Sequence, residues 1–225
     1  MAERLETLKY TFSVEGETER WYLEWLQNQV NSCSERKRNV SILGRVCQNP
    51  MKFAKIVNSK STPSAVHLCD MESNEKEYEI RFRSVLDELK MAGREKGIEY
   101  TLGYSNLTFE LWMILHRKNC NAPINDRHQY LDSINQIFGE HFRSLTEYKR
   151  EKDFKRCLSK LQLRDVFEAV KRAELIVERK KKQNEGNEVI YRGFRYYRNN
   201  PSLSIHESIG KILTESGLTQ NKVTG

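Results

Sequence analysis

Three acidic side chains follow stretches of sequence that are typical of buried β-strands. Glu15 comes directly after residues 8–14, and Asp70 and Glu72 follow residues 64–69. Carboxylates that converge at strand ends repel one another unless a proton or cation compensates, and oxygen-rich sites favour Mg²⁺ or Mn²⁺. We therefore expect Glu15, Asp70 and Glu72 to hold a divalent metal ion. If the strand continues past Asp70, Glu72 points the same way as Asp70, and Met71 faces inward.

A simpler interpretation exists for each acidic segment taken alone. Residues 15–19 fit an acidic helix start, which the helix dipole favours, and residues 70–77 fit a polar loop. Both segments nevertheless come at matching strand ends, and this coincidence favours a shared metal site.

The first half of the chain alternates between strand and helix patterns. β-branched and aromatic residues predict strands at residues 8–14, 39–46, 64–69 and 100–104. Apolar residues at helical spacing predict helices from residue 17, at residues 51–58 and at residues 75–94, the last of which ends at Gly97. This order predicts an α/β fold with a mainly parallel sheet flanked by helices, whose ligands bind at the carboxyl ends of the strands.

The second half of the chain is predicted to be mostly helical. Residues 109–115 are apolar nearly all round, which is typical of a helix buried between two parts of a molecule. Further helices are expected at residues 126–138, 153–161, 164–182 and 205–216, with a loop at residues 184–187. We expect residues 1–118 to form the core with the sheet and residues 119–225 to form an appended helical lobe.

Two polar residues flank or interrupt the apolar segment. Asn106 and Glu110 are four residues apart and would share one helix face, so Glu110 must be paired, protonated or directed at a metal. His116 and His206 are candidate partners for Glu110. A buried hydrogen-bond network that ties the helices to the sheet explains these residues at least as well as catalysis. Within the predicted strand before Asp70, His67 is expected to be a packed core residue.

The net charge is +7 and the isoelectric point is about 9.1. Basic residues next to aromatic ones suit a phosphate backbone and unstacked bases. The candidate contact residues are Arg179, Lys180, Lys181, Lys182, Arg192, Arg195 and Arg198. The last three alternate with aromatic residues in a predicted edge strand or hairpin that leaves the arginines free for phosphate. A solvated helix surface or a docking surface for a partner protein remains an alternative for these basic runs.

Several classes of protein are disfavoured by the sequence. No stretch approaches the roughly 18 apolar residues of a membrane helix, and the charged start is unlike a signal peptide, so we expect a cytoplasmic protein without membrane contact. The five cysteines are scattered without a Cys-x-x-Cys pair, which predicts reduced thiols rather than disulfides or a zinc site. No phosphate-binding loop of the Gly-x-x-x-x-Gly-Lys-Ser/Thr type is present, so nucleotide hydrolysis would need another chain.

Three segments resemble RloB-like proteins, a branch of the Toprim superfamily. Residues 14–22 (Val-Glu-Gly-Glu-Thr-Glu-Arg-Trp-Tyr) are similar to the family opening Glu-Gly-x-Thr-Glu-x-x-Tyr. Residues 105–116 (Ser-Asn-Leu-Thr-Phe-Glu-Leu-Trp-Met-Ile-Leu-His) are similar to Ser-Asn-Pro-x-Phe-Glu-Leu-Trp-x-Leu-Leu-His, and residues 200–206 (Asn-Pro-Ser-Leu-Ser-Ile-His) to Asn-Pro-Ser-Thr-x-Val-His. The three motifs occur in the family's order.

The chain departs from the family pattern at a few positions. Leu107 stands where the family has Pro, Arg117 where it has an aromatic residue, and Leu203 where it has Thr. The carboxylate pair is Asp70-Met71-Glu72 rather than Asp-x-Asp, and the longer arm of Glu72 would shift a bound metal. None of these departures removes a carboxylate.

The resemblance implies a Toprim-like core that uses Mg²⁺ or Mn²⁺ to cut phosphodiesters. Asp70 and Glu72 would hold the metal against a phosphate oxygen, and Glu15 would bind a second ion or accept a proton from water. Lys149, in a Tyr-Lys pair similar to a family segment, would stabilise the developing charge, unless it is one lysine among many in a basic helix start. Glu19 joins Asn106, Glu110, His116 and His206 as candidates for a supporting shell.

The resemblance also implies a biological setting. We expect a nuclease of RNA, such as tRNA, or of DNA, acting as the effector of a prokaryotic antiphage abortive-infection system with an ABC-type ATPase partner encoded nearby. The alternative is a non-catalytic Toprim-like module that binds nucleic acid or the partner as a sensor or scaffold. A homo-oligomer is left open.

Overall fold

Parallel strands form the centre of the molecule. The structure is a computed structural model and describes residues 5–57, 60, 62–73, 75–183 and 188–223. Within these ranges one sheet has five strands: β1 (Thr7–Val14), β2 (Asn39–Val46), β3 (Ser64–Asp70), β4 (Glu99–Asn106) and β7 (Ser202–Leu203). Their order in the sheet is β2-β1-β3-β4-β7. The first four pair in parallel and β7 is antiparallel to β4, so the predicted α/β fold with a mainly parallel sheet is confirmed.

Helices fill most of the remaining described chain. They are α1 (Glu17–Ser32), α2 (Pro50–Ile56), α3 (Lys76–Lys96), α4 (Glu110–Leu115), α5 (Tyr130–Phe138), α6 (Leu145–Tyr148), α7 (Glu151–Leu158), α8 (Leu163–Gln183), α9 (Ile205–Glu215) and α10 (Gln220–Val223). A 3₁₀ turn (Arg127–Gln129) precedes α5, and β5 (Glu188–Tyr191) and β6 (Phe194–Tyr197) form a separate hairpin. The predicted helices and the predicted hairpin are present, and the predicted loop at residues 184–187 lies outside the described residues.

Neighbouring residues of β3 point into different parts of the core. Leu68 packs with α1, α4, α8 and α9 on one face of the sheet. Cys69 packs with α3 and β6 on the other face, and Ala65 packs there with α2. Because both faces are covered, the central strands read as nearly continuous apolar runs, as expected for a buried parallel sheet.

The open edge of β2 is closed by side chains of α1. The amide of Asn31 accepts from the Val40 N–H and donates to the Val40 carbonyl, both at 2.8 Å. Gln27 accepts from the Ile42 N–H at 2.6 Å. These bonds occupy backbone groups that an added strand would need, so they protect the edge against pairing with another chain.

The short strand β7 ties the C-terminal part of the chain to β4. Ser204, which follows β7, donates its N–H to the Tyr104 carbonyl at 3.0 Å, and its hydroxyl donates to the Leu102 carbonyl at 2.7 Å. The Tyr104 N–H donates to the same hydroxyl at 3.1 Å. The helical second half is therefore hydrogen-bonded into the sheet as well as packed on it.

The thiols of all five cysteines are free in the structure. Among the described helices, none combines the length and the apolar character that crossing a membrane requires.

Candidate metal and catalytic site

Glu15 and Asp70 meet where two neighbouring parallel strands end. β1 pairs with β3 through Val14 and Leu68, so the residues that follow come out at the same edge of the sheet. The Asp70 N–H donates to Oε2 of Glu15 at 3.2 Å. The sequence prediction that these two residues lie together at the strand ends is confirmed.

The first turn of α1 adds a second glutamate to this edge. Glu19 is 6% exposed, and Thr18 Oγ1 donates to its Oε2 at 3.0 Å. The N-terminus of a 16-residue helix directs unpaired N–H groups and a partial positive charge toward these carboxylates. Gly16 permits the approach, because a Cβ at that position would lie 3.1 Å from Glu19 Oε2.

Helix α4 and the end of α6 bring an acid and a base to the same place. Glu110 begins α4, is 1% exposed, and accepts from Thr108 Oγ1 at 2.6 Å. Lys149 follows the last residue of α6 and places its Nζ 3.0 Å from Glu110 Oε1. The partner of Glu110 is thus a lysine that lies 39 positions later in the sequence.

The pKa values show that these groups form one electrostatic cluster. Burial raises the pKa of Asp70 well above its usual range, and the charges of Glu15, Glu19 and Glu110 raise it further. Burial likewise raises the pKa of Glu15 to about 7, against the lowering effect of the Asp70 N–H. Burial alone would lower the pKa of Lys149, but the charges of Glu110 and Asp70 produce a net rise. One ammonium faces several carboxylates, so the cluster favours a further proton or cation.

The donor chemistry of this cluster fits a divalent metal ion. Carboxylate oxygens are the ligands that Mg²⁺ and Mn²⁺ prefer, and crowding of buried acids is what such an ion relieves. Glu15 and Asp70 are the residues that could hold such an ion. Among the described residues, no three His, Cys, Asp or Glu side chains converge at metal-ligand distance. Full coordination therefore requires side-chain adjustment, water or substrate oxygens.

Glu72 does not continue the strand as predicted. β3 ends at Asp70, and Glu72 has a left-handed backbone with φ of 58°. The Ser73 N–H donates to the Met71 carbonyl at 2.7 Å, which closes a tight turn around Glu72. Met71 is buried, as predicted, whereas the Glu72 side chain is 43% exposed and its Oε1 lies 3.9 Å from an amino group of Arg127. Its charge still acts on Glu15 and raises the pKa of that carboxyl.

Glu110 does not pair with His116 or His206, its predicted candidate partners, and it does not share a helix face with Asn106. Asn106 is the last residue of β4, and its Nδ2 donates to the carbonyls of Tyr197 and Arg198. His116 Nδ1 donates to the Trp112 carbonyl at 3.0 Å. The spacing of four residues between Asn106 and Glu110 does not correspond to one helix face because β4 ends at Asn106 and α4 begins only at Glu110.

The two remaining buried histidines are separate from the acidic cluster. His67 is fully buried in β3, with its Nδ1 2.7 Å from Ser13 Oγ, so the expected core role is confirmed. His206 lies at the start of α9, is 5% exposed, and its Nδ1 has no hydrogen-bond partner among the described residues. Neither histidine contacts Glu110.

Sequence reasoning missed two hydroxyl groups at the site. The Thr108 hydroxyl donates to Glu110. The sequence feature that could have revealed this role is a polar residue placed inside an apolar run. The Tyr148 hydroxyl is fully buried without a hydrogen-bond partner in the described parts of the chain. Burial raises its pKa well above the usual range, and the charge of Glu110 adds to the rise, which places the hydroxyl beside the cluster.

The predicted basic contact residues fall into two groups. The hairpin arginines were expected to be free, but Arg192 pairs with Asp87 at 2.5 Å, Arg195 with Glu188 at 2.9 Å and Arg198 with Glu79 at 2.9 Å. The prediction failed because these partners come from elsewhere in the fold. Asp87 and Glu79 belong to α3, which is distant in the sequence, and Glu188 belongs to β5, the strand that pairs with β6. At the end of α8, by contrast, exposed side chains form no ion pair with a described acidic residue: Arg179, Lys181 and Lys182. Lys180 lies in the same turn.

Comparison with known proteins gives one match. The family model described as RloB-like protein matches residues 10–212, which is most of the chain and includes the acidic cluster. Neither the curated proteins nor the solved structures contain a match to this chain.

Proposed function

This chain belongs to the RloB-like protein family, and from the acidic cluster we propose that it is a divalent-metal-dependent nuclease. The reaction would be hydrolysis of phosphodiester bonds in RNA, such as tRNA, or in DNA. The family resemblance to Toprim proteins supports the reaction class, and the geometry of the cluster supports the placement of the residues.

One observation carries this proposal. Glu15, Glu19, Asp70 and Glu110 converge from two strand ends and two helix starts, and burial raises the pKa values of the first three. A scaffold gains nothing from carboxylates that repel one another, because each unpaired buried charge destabilises the fold. A bound divalent cation would relieve this repulsion, and that benefit accounts for the arrangement.

The residues have distinct proposed roles in cleavage. A divalent cation held by Glu15 and Asp70, with Glu72 nearby, would polarise a phosphate oxygen and make bound water more acidic. Alternatively, Asp70 would hold the cation without Glu15, and Glu15, whose pKa burial raises to about 7 in the metal-free protein, would accept a proton from attacking water. Lys149, held by Glu110 at 3.0 Å, would stabilise negative charge that develops on the phosphate.

The biological setting is proposed from the family. RloB-like proteins suggest an effector of a prokaryotic antiphage abortive-infection system, with an ABC-type ATPase encoded nearby as the partner. The chain contains no phosphate-binding loop of its own, which agrees with nucleotide hydrolysis by another chain.

A second candidate function has its own support. Lys149 already compensates part of the negative charge, and the described acids are not pre-arranged as a three-residue metal site. Both observations suit a non-catalytic module that binds nucleic acid or the ATPase as a sensor or scaffold.

Cleavage assays distinguish the two candidates. Labelled tRNA, single-stranded RNA and both forms of DNA are incubated with Mg²⁺ or Mn²⁺, using wild type, Glu15→Gln and Asp70→Asn. The matched control is Glu35→Gln, which neutralises an exposed glutamate. We expect metal-dependent cutting that both site variants lose and the control keeps. If nothing is cut alone or with the ATPase partner added, the scaffold function is supported instead.

A further inference from the structure

Two adjoining cavities lie along β4, before the short stretch in which it pairs with β7. Their volumes are about 360 and 330 Å³. The first extends from Tyr100 to Tyr104 and to the end of α8, the second lies against α3, and Tyr100 and Phe194 line both. The two cavities meet at these rings, and we call them together the β4 groove.

The β4 groove carries basic residues that are free to bind an anion. Lys90, Arg94 and Lys181 are exposed, line the two cavities, and form no ion pair with an acidic residue in the described ranges. They come from α3 and from the end of α8, so the fold brings together charges that are distant in the sequence.

Acidic residues of the groove balance these charges only in part. Glu99 lines one of the two cavities, and Glu207, at the start of α9, lines the other, where its carboxyl interacts with Lys181. Further basic residues in the lining pair with acids outside it: Arg192 and Arg195. Three cations against two acids leave the groove with a net positive charge.

Two partly exposed aromatic rings lie where the two cavities meet. Tyr100 is in β4, and its hydroxyl donates to the Pro50 carbonyl at 3.2 Å, which fixes the ring. Phe194 begins β6 next to the hairpin turn and, like Tyr100, lines both cavities. The cavity on one side of the rings carries Lys90 and Arg94, and the cavity on the other side carries Lys181.

The groove runs along β4, and its aromatic end is distant from the acidic cluster. In the register of β3 with β4, Tyr100 pairs with Ala65, whereas Ser105 pairs with Asp70. At about 3.3 Å per residue, these five steps place Tyr100 roughly 17 Å along the strand from the level of Asp70. The other end of the groove reaches Tyr104, which pairs with Cys69, so the groove extends from the rings toward the level of the cluster.

We propose that the β4 groove binds single-stranded nucleic acid. Free cations spaced around a groove match a phosphate backbone, and aromatic rings between them match unstacked bases, which a duplex does not expose. A protein partner fits less well, since lysine is depleted in protein interfaces, whereas two of the three free cations are lysines. This inference goes beyond the proposed function, because the groove binds whether or not the acidic cluster cuts.

Binding without divalent metal tests the proposal. Fluorescein-labelled oligouridylate and oligodeoxythymidylate of about 15 nucleotides, a length near one binding site, are titrated in EDTA over a series of salt concentrations. The two probes distinguish RNA from DNA as the source of the same backbone. The test variant is Lys90→Ala/Arg94→Ala/Lys181→Ala. The matched control is Arg38→Ala/Arg81→Ala/Lys118→Ala, which removes equal charge from residues bonded to Glu6, Glu77 and Gln136 outside the groove.

The expected results are quantitative. The groove variant should bind about tenfold or more weakly, and the slope of log K against log salt should fall by about 2, since three contacts are lost at about 0.7 each. The control should change binding less than about threefold. Phe194→Leu, which keeps an apolar side chain but removes the ring, should weaken binding about fivefold or more.

Several outcomes overturn the proposal. Equal losses in the groove and control variants would mean that only overall charge matters. A duplex of the same length that binds as tightly would exclude recognition of single strands. Polyglutamate that competes as well as the oligonucleotides would favour an acidic peptide. If wild type cleaves nucleic acid and the groove variant binds it as tightly as wild type does, the binding role of the groove is refuted and the nuclease function is not. If binding depends on the groove residues and no cleavage occurs, only the binding role of the groove is supported.

Discussion

The Nζ of Lys149 lies 3.0 Å from Oε1 of Glu110 and joins the end of α6 to the start of α4. Glu110 is 1% exposed, whereas the Lys149 side chain is 37% exposed. The lysine thus places one face of its ammonium on a buried acid and leaves the other toward solvent. The second half of the chain therefore supplies the positive charge of a site whose carboxylates belong to the first half.

Removal of Lys149 should destabilise the protein. In Lys149→Met, Glu110 keeps its bond from Thr108 but loses its counter-charge. We expect a loss of about 1–3 kcal/mol in the free energy of unfolding, at the lower end if solvent around the partly exposed lysine screens the pair. Urea unfolding at pH 7 measures this. Lys155→Met, which breaks the exposed pair with Glu151, is the control and should cost less than about 1 kcal/mol.

A double variant separates the ion pair from other effects of the mutation. Lys149→Met/Glu110→Gln removes both charges, so it should recover part of the stability that Lys149→Met loses. If the two single effects simply add, the pair is not coupled and this account of the site is wrong.

The sequence predicts best where local pattern and parallel topology determine the result. Residues 39–46 and 64–69 alternate or run apolar as strands do, and they form β2 and all but the last residue of β3. Glu15 and Asp70 meet because parallel neighbours end at the same edge, a rule that requires no knowledge of distant contacts.

Sequence reasoning fails where a residue's surroundings come from a distant segment. The partner of Glu110 is Lys149, and Asp87 on α3 engages Arg192 of the hairpin turn. No local periodicity reports either contact. Glu72 leaves the strand because a single tight turn intervenes, and spacing by two residues does not predict such a turn.

Glu15 should make stability decrease as pH rises in metal-free buffer. Burial raises the pKa of Glu15 from 4.5 to about 7, so the folded state holds a proton that the unfolded chain releases. The resulting stabilisation is full below about pH 4.5 and is lost as pH rises through 7. The Glu15→Gln side chain stays neutral, so the free energy of unfolding of this variant should exceed that of wild type by roughly 1–3 kcal/mol at pH 8 and by much less at pH 5.

Urea unfolding at both pH values in EDTA measures this difference. The control is Glu35→Gln, an exposed glutamate whose replacement should shift stability equally at both values. A Glu15→Gln advantage that is the same at pH 5 and pH 8, or larger at pH 5, would contradict the assignment.

Gly16→Ala should affect the acidic cluster more than the fold. Gly16 has φ of −144°, which alanine adopts without strain, but the new Cβ would lie 3.1 Å from Glu19 Oε2. The carboxylate must move by a few tenths of an ångström, while the backbone stays in place. We expect the free energy of unfolding to change by less than about 1 kcal/mol, and metal-dependent cleavage to fall about fivefold or more, since small misplacements at a reacting centre are costly.

The matched control for this substitution lies in α9. At Gly210 an added Cβ would meet Val170 Cγ1 at 3.5 Å, an ordinary contact remote from the acidic cluster. Gly210→Ala should leave cleavage unchanged. If both variants cut equally well, the close approach at Gly16 has no role in the site.

His116 should make stability decrease as pH falls. Its Nδ1 donates to the Trp112 carbonyl, so the neutral ring accepts from the Tyr22 hydroxyl at Nε2, 3.1 Å away. Burial lowers the pKa of His116 to about 4, whereas the unfolded chain takes up a proton near 6.5. The stabilisation is therefore full above pH 6.5 and is lost as pH falls toward 4. Tyr22→Phe, which leaves Nε2 unpaired, should cost about 1–2 kcal/mol at pH 7.

The pH effect is tested by unfolding wild type and His116→Gln between pH 7 and pH 5. Glutamine does not titrate, so wild type should be the more stable at pH 7, and the gap should narrow by roughly 1–2 kcal/mol at pH 5. His141→Gln removes an exposed histidine and should show no such narrowing. Burial also lowers the pKa values of His67 and His206. The free energy of unfolding of both variants should therefore still decrease as the pH falls. A constant gap between wild type and His116→Gln would show that the ring of His116 titrates alike in the folded and unfolded states.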